Sequence, residues 1–558
     1  MSATEDYAEL NPGKNGRRIK VLNQNGTDVQ VVGLAGVNDA GNIQTVPVTP
    51  EGHVEVALHS PRLPFGSVHT ERLSPVFQVD GVYGINTALV NTSTGLSFGT
   101  GANSGSVTST GNKLVCATGT TQYSFASLQS RRRLRYRPGQ GVVGRFAGFF
   151  SAPVASSILV AGIGTAESGF FFGYNGTAFG ILHSTGGVRE IHTFTVTTAS
   201  TATNDYVVTL PNTATVTVTA TNNSSTTKTA YEIARGTFPG WKAEQRGATV
   251  IFLADSAAPS GGSFSLAQTG AGTPAAGTDA TTLAGVAPAN TWIPQSSWNG
   301  DVMDGSGSDS NPSGGSLDPT KGNVYQIGIQ YLGFGSISFQ IETVPANGNN
   351  PEFVTVHTIR FPNSSTSVSM SQPSFPFTME AYSSGSTTNV SVSISSFAGF
   401  VEGDIENLGP RSSYYNNSGV TSSTSAYVPL FTARNDYVFA GRANQAVSHI
   451  ISAHGAAKSN TGLTTYYLIR NATLTGTPNF TQFSTQSSTY WDTAATGCSF
   501  ASNSQVLWSG TLAESSDFNY AFADQEITLQ PGESVTLAVR SVTATATCVG
   551  SLNTREDQ

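Results

Sequence analysis

Residues 131–150 read RRRLRYRPGQGVVGRFAGFF, and residues 169–189 read GFFFGYNGTAFGILHSTGGVR. Between them runs an Ala/Ser-rich connection. Phe, Val and Tyr fill both blocks, and glycine-rich turns break them. Tyr174-Asn175-Gly176-Thr177 joins two apolar runs, and Asn-Gly is the strongest short hairpin signal because both residues tolerate positive φ. Thr185-Gly186-Gly187 turns the chain again before Val188. This is the pattern of a β core, and no catalytic motif lies in it.

The rest of the composition agrees. Charged residues make up 11% of the 558 residues, against about 25% in an average soluble domain. There are 60 glycines and 4 methionines. Long amphipathic helices are built from Glu, Lys and Leu, whereas β-branched and aromatic residues between Gly, Asn and Ser make strands and turns. The expected class is all-β: tandem β-sandwich, jelly-roll-like domains carrying a small α+β insertion.

Five segments are expected. Residues 1–60 form a small β module of short strands (Arg18-Ile-Lys-Val-Leu, Val29-Gln-Val-Val, Ile43-Gln-Thr-Val, Val54-Glu-Val-Ala-Leu). It is too small to bury much by itself and reads as a docking segment. Residues 61–192 and 291–410 are the two parts of one central sandwich. Asn323-Val-Tyr-Gln-Ile-Gly-Ile-Gln-Tyr shows a buried face of Tyr325, Ile327, Ile329 and Tyr331, turning at Gly333-Phe-Gly335. Residues 193–290 are the insertion; a helix near 229–238 sets Ala230, Ile233, Ala234 and Phe238 on one face. Residues 411–558 make a C-terminal sandwich with a Leu529-Gln-Pro-Gly-Glu turn.

The net charge of −8 gives no whole-chain reason to expect nucleic-acid binding. The N-terminus is acidic and polar, unlike a secretory signal, and no apolar run is long enough for a membrane helix. Three cysteines, Cys116, Cys498 and Cys548, are too few and too scattered for a disulfide framework or a zinc site. They are expected as free buried thiols, with a Cys498–Cys548 pair as the alternative.

The most concentrated charge is Arg131, Arg132, Arg133, Arg135 and Arg137. In a strand, Arg131, Arg133, Arg135 and Arg137 share one face, with Arg132, Leu134 and Tyr136 opposite. They are candidate assembly contacts, meeting acidic residues of this chain or of a neighbour. Residues 301–311, with Asp301, Asp304, Asp309 and Asn311, offer oxygen ligands but lack EF-hand spacing and its terminal Glu, so a turn is expected. His53-Val-Glu55 lacks the Pro-Cys-x-x-Cys of a zinc deaminase. Gly95-Leu-Ser97-Phe-Gly99 matches a nucleophile elbow in letters, but no helix pattern follows. No cofactor and no enzyme activity is expected. Aromatics read as exposed (Trp292, Trp298, Tyr414, Tyr415, Tyr490, Trp491) include two nominated for glycan stacking, Tyr415 and Trp491.

Tyr136-Arg-Pro-Gly-Gln-Gly, Gly169-Phe-Phe-Phe-Gly-Tyr-Asn-Gly-Thr-Ala-Phe-Gly and Asn323-Val-Tyr-Gln-Ile-Gly-Ile-Gln-Tyr-Leu-Gly-Phe-Gly resemble the core of virion structural proteins of tailed bacteriophages and large DNA viruses. The ending, from Leu529-Gln-Pro-Gly-Glu to Gly550-Ser-Leu-Asn-Thr-Arg-Glu-Asp, resembles their terminal sandwich. The resemblance implies a non-enzymatic particle component located in the virion, and transfers no catalytic residue. The leading expectation is an oligomeric, trimeric tail-fibre, baseplate or spike protein, docked to other virion proteins through residues 1–60 and contacting a host glycan or receptor. A capsid-surface or decoration protein, and a carbohydrate-binding or carbohydrate-active sandwich, are the alternatives. Neither nucleic acid nor membrane is an expected partner.

Overall fold

The structure, a computed structural model, describes residues 73–557 apart from 98–101, 137–139, 200, 202, 221–224, 270–275, 331, 345–350, 371–372, 404–408, 459–461, 514 and 523–526. Within residues 1–72 it describes the backbone of five short strands. Residues 1–70 and 71–558 are two separate units. In the first, Thr4–Leu10, Arg17–Gln24 and Thr27–Gln30 pair antiparallel in that order, and Ala35–Val37 pairs with Ile43–Thr45. The strand expected at Val54, and the pair His53 and Glu55, lie outside the described residues.

The second unit opens with a sandwich of two antiparallel sheets. One has seven strands, in the order Ala289–Pro294, Ala178–Thr185, Gly169–Asn175, Ser157–Gly164, Phe377–Ser383, Ser124–Ser130, Val90–Leu96. The other has eight. Its path is Glu352–Ile359, Ile337–Thr343, Asn323–Ile329, Val142–Phe150, Ser391–Glu402, Lys113–Ala117, Ser106–Thr110, and Leu73–Asp80 joins on Ser391–Glu402. Both sheets contain strands from before and after the insertion, so neither half can close its own core. Phe146, Phe172, Tyr325, Phe339, Phe377 and Phe397 fill the space between the sheets. Phe146 stacks on Tyr325 at 4.9 Å between ring centroids, and Phe377 on Phe397 at 4.1 Å.

The sequence patterns hold where alternation is strict. Tyr325, Ile327 and Ile329 are buried as expected; Tyr331 lies outside the described residues. The hairpin after Tyr174 is present, one residue further on. Asn175 pairs with Ala178, and Gly176, at φ +59°, starts the two-residue loop. The Ala/Ser-rich connection, however, contains a central strand, Ser157–Gly164, whose Leu159, Ala161 and Ile163 face the core. It is buried on both faces, so its sequence shows no alternation.

The insertion has a four-stranded sheet (Trp241–Arg246, Thr249–Ala254, Ile191–Thr198, Ala276–Leu283), a three-stranded one, and the helix Thr226–Ala234. That helix begins earlier than the apolar spacing suggested. Ser225 caps it, its hydroxyl accepting from the Lys228 amide at 3.3 Å. Thr229, Ala230 and Ile233 are buried, while Phe238 lies past the helix and bridges Trp241.

The C-terminal sandwich packs a five-stranded sheet, edged by Arg411–Thr421, on a six-stranded sheet. The latter runs Thr481–Gln482, Thr489–Asp492, Val428–Asn435, Ser534–Ser541, Thr464–Arg470, Gln505–Leu512. Tyr414, Tyr466, Leu468, Leu537 and Leu552 form its core. The chain is therefore nearly all β, as expected.

Candidate functional site

The basic run forms no continuous strand. Only Leu134–Arg135 is extended, paired with Ser374–Phe375, and Leu134 is buried. The expected four-arginine face therefore does not form across residues 131–135, and Arg137 lies outside the described residues. Arg131 donates through Nε to the Thr87 carbonyl at 2.5 Å and stands 3.3 Å from Oε1 of Glu533. Arg133 donates to Oε1 of Gln445. Burial, with Arg189 and Arg135 nearby, pushes the Arg133 guanidinium down to about 10, against the pull of Glu167. Glu533, itself buried, also binds the Gln530 amide at 2.8 Å across the Pro-Gly turn. The basic run thus meets the C-terminal sandwich of its own chain.

A second junction ties the insertion to that sandwich. Asp436 is fully buried; it accepts Arg246 Nε at 2.8 Å and Arg434 Nε at 2.6 Å. Arg246 also reaches Glu244 at 2.9 Å. The amides of Tyr437 and Val438 donate to Glu244 at 2.5 and 3.3 Å. Arg246 lies over Tyr490 at 4.1 Å and Arg434 over Phe480 at 3.9 Å, faces that favour a cation. Burial, then the neighbouring Asp436, pushes the Glu244 carboxyl up to about 7.

Other chemistry-bearing groups are spent on structure. His192, fully buried, has Nε2 2.6 Å from Glu190 and Nδ1 3.0 Å from Asp279. Burial alone would raise Glu190, but hydrogen bonds from Ser260, His192 and Gly285 hold it below the ordinary carboxylate value. The Asp301 carboxylate accepts from the Met303 and Ser313 amides, both at 2.8 Å, and Asp304 from Ser306 and Asn311 at 2.9 Å. These bonds close the loop as a turn. Among the described residues no three His, Cys, Asp or Glu side chains gather as a metal ion requires. The Ser97 hydroxyl donates to the Tyr123 carbonyl and to Tyr382, each at 3.2 Å. All three cysteines are free and buried, and burial pushes the Cys498 thiol up to about 11.

The two residues nominated for glycan stacking do come together. Tyr415, on the edge strand of the five-stranded sheet, lies 6.3 Å from Trp491, on the second strand of the other sheet. Phe483, which no sequence pattern marks, joins them at 5.3 Å from Trp491. Tyr415 is 48% exposed and Phe483 36%. Adjacent strand residues point to opposite faces, so Tyr414 goes inward. Its hydroxyl meets Ser487 at 3.2 Å and Glu556 at 3.5 Å. Glu556 also accepts the Ser488 amide at 2.8 Å. An aromatic edge is thereby braced from below by a buried polar network. The other nominated aromatics are not surface groups: Trp298, Tyr414 and Tyr490 are buried and Trp292 is half-buried. Trp298 turns into the central core after the short Gln295–Ser297 turn.

A second aromatic row, unmarked in the sequence reading, seals the opposite side. Trp508 lies 5.0 Å from Phe518 and 5.4 Å from Tyr520, bridging the two edge strands. Both open sides of this sandwich are closed by aromatic rings, and each leaves a tyrosine partly exposed.

No protein-family model matches the chain, and no curated protein matches it. Among solved structures, peanut lectin with a nine-residue peptide aligns with 57% of this chain and 99% of the lectin chain. Identity is 11% and the TM-score 0.19, so the β-sandwich class rests on the strand pairing given above.

Proposed function

We propose that the chain is a non-enzymatic structural component of a virus particle, an oligomeric tail-fibre, baseplate or spike protein whose C-terminal sandwich contacts a host glycan. The resemblance to virion structural proteins supports the particle role. The observation that carries the attachment role is the convergence of Tyr415, Trp491 and Phe483 on one partly exposed sandwich edge. Flat aromatic faces with polar neighbours suit a sugar ring, one side of which is apolar and the rim hydroxylated. Residues 1–60 would dock to other virion proteins, and copies of the chain would associate as a trimer.

The test is immunogold electron microscopy of purified particles with antibody against residues 411–558. Label on a tail or projecting fibre is the expected result. Label spread over the shell would favour a capsid-surface protein, and particles without label would overturn the virion reading. The aromatic edge also favours a second reading, a carbohydrate-binding sandwich outside any particle, which that last outcome would leave standing.

A further inference from the structure

The geometry points to a second, separate ligand surface: the outward face of the eight-stranded sheet takes an extended polysaccharide bearing carboxylates on some of its sugars. Across six successive strands the register aligns Gln78, Ala398, Arg145, Gln326, Gln340 and Thr355. Their chain neighbours Phe77, Phe397, Phe146, Tyr325, Phe339 and Val356 are in the core, so this row faces away from it.

The row is a polarised ladder. Arg145 donates through Nε to Oε1 of Gln326 at 3.0 Å and through a terminal nitrogen to the same oxygen at 2.5 Å. Gln326 donates to Oε1 of Gln340, and Gln340 to the Thr355 hydroxyl at 3.2 Å. The Arg145 guanidinium carbon lies over Phe353, 4.6 Å from its centroid, and near Phe400 at 5.8 Å. Gly328 and Ser338, paired with each other in the next row, are small.

Three properties select the ligand. Hydrogen-bonding side chains recur at the strand spacing of about 4.8 Å, close to the rise of one sugar in an extended pyranose chain. A guanidinium has five N–H donors; two serve Gln326, and the others remain for a carboxylate, which they fit in a forked geometry. Each glutamine keeps a second amide hydrogen for a hydroxyl. Glu342 lies one row away on the same face, paired across from Phe353. That anion acts on Arg145 itself and disfavours a chain charged at every residue, so the carboxylates of the ligand are sparse. The site does not depend on the aromatic edge of the other sandwich.

The test is calorimetric titration of the full chain with partly methyl-esterified oligogalacturonate, against the fully esterified oligomer as the neutral control. Binding weakened by salt is expected, with loss of at least roughly tenfold on full esterification or in Arg145→Gln, the worth of a charge-assisted hydrogen bond. Gln340→Ala should weaken binding a few-fold, roughly one neutral hydrogen bond, with an unchanged melting temperature. Tyr415→Ala should leave it intact. If Arg145→Gln fails to fold, Gln340→Ala and Thr355→Val carry the test. No binding by the natural chain, equal binding of the neutral oligomer, or loss in Tyr415→Ala with none in the ladder variants would overturn the inference. The last result would favour the aromatic edge instead.

Discussion

Replacing Asp436 by alanine should loosen the insertion from the C-terminal sandwich without unfolding either. Asp436 is fully buried and is the acceptor for two guanidinium Nε groups, from Arg246 at 2.8 Å and Arg434 at 2.6 Å. A hydrogen bond to a charged group contributes about 1.5–3 kcal/mol. Losing two gives about 3–6 kcal/mol, in line with the roughly 3–5 kcal/mol lost when one partner of a buried pair is removed. The two arginines would then face each other with Glu244 alone to share. The reporters are amides that cross the junction: Tyr437 and Val438, which donate to Glu244, and Leu474, which donates to the Tyr231 hydroxyl. At about 1.4 kcal/mol per tenfold, their hydrogen exchange should quicken by roughly a hundredfold or more. Amides of the central strand Val142–Phe150 should keep their protection. Asp436→Asn, which keeps an acceptor oxygen, should fall between the two. If the junction amides of Asp436→Ala exchange within about threefold of the natural rate, less than one neutral hydrogen bond is worth, the junction is held by its apolar contacts and the reasoning fails.

Three further outcomes follow from other positions. Glu380 sits mid-strand in the seven-stranded sheet, across from Ser127 and Val160, and burial pushes its carboxyl up to about 7. The folded state therefore binds a proton that the unfolded chain does not between about pH 7 and the ordinary carboxylate range, so stability should rise as pH falls through that window. Glu380→Gln should be the more stable form at pH 8, by at most about 3 kcal/mol, and lose that advantage near pH 4; denaturant titrations at both pH values decide it. Gly532 has φ +87°, and a Cβ there would stand 2.0 Å from the Tyr437 ring. Gly532→Ala should cost at least about 2 kcal/mol, seen as a lower denaturant midpoint, and an unchanged midpoint would refute the clash. Tyr415→Ala should weaken binding on a glycan array while shifting the melting temperature by no more than a degree or two, since that ring is about half exposed.

The elements that were legible in the sequence are those whose side chains alternate without interruption. Tyr325, Ile327 and Ile329 announced their inward face, whereas Tyr414 and Tyr415 both read as exposed although neighbours on one strand place one ring inside and one outside. Which ring goes where depends on register, and register depends on a partner strand, Thr547–Asp557, more than a hundred residues away. Ser157–Gly164 was hidden because a strand buried on both faces shows no apolar/polar alternation, and its central place depends on pairing with Phe377–Ser383, more than two hundred residues away. The helix was found by its apolar spacing and mis-started because its true beginning is polar, set by the Ser225 cap. The Arg131 contact was beyond reach for a different reason: its acid, Glu533, lies 402 residues away. Phe483 and Trp508 carried no local signal, since what makes each notable is a ring contributed by another strand.

The placement of the charges explains why the basic run, conspicuous in the sequence, reads differently in the fold. In a chain with 11% charged residues, several ion pairs among the described residues stand where separately packed cores meet. Arg131 and Glu533 join the central and C-terminal sandwiches, and Arg246, Arg434, Glu244 and Asp436 join the insertion to the latter. Arg189 and Lys242 bracket Asp255 within reach of Ser93, on an edge strand of the central sandwich. Apolar contact is non-directional and would let two smooth sandwiches slide, whereas a forked guanidinium accepts a carboxylate in few orientations. Directional charges at the junctions fix the relative placement of the cores. With Arg131, Arg189, Arg246 and Arg434 engaged at the junctions, the surfaces proposed to take a ligand are largely uncharged. They are the aromatic edge around Tyr415 and Trp491 and the amide ladder beside Arg145, whose planar groups suit hydroxylated chains better than phosphates.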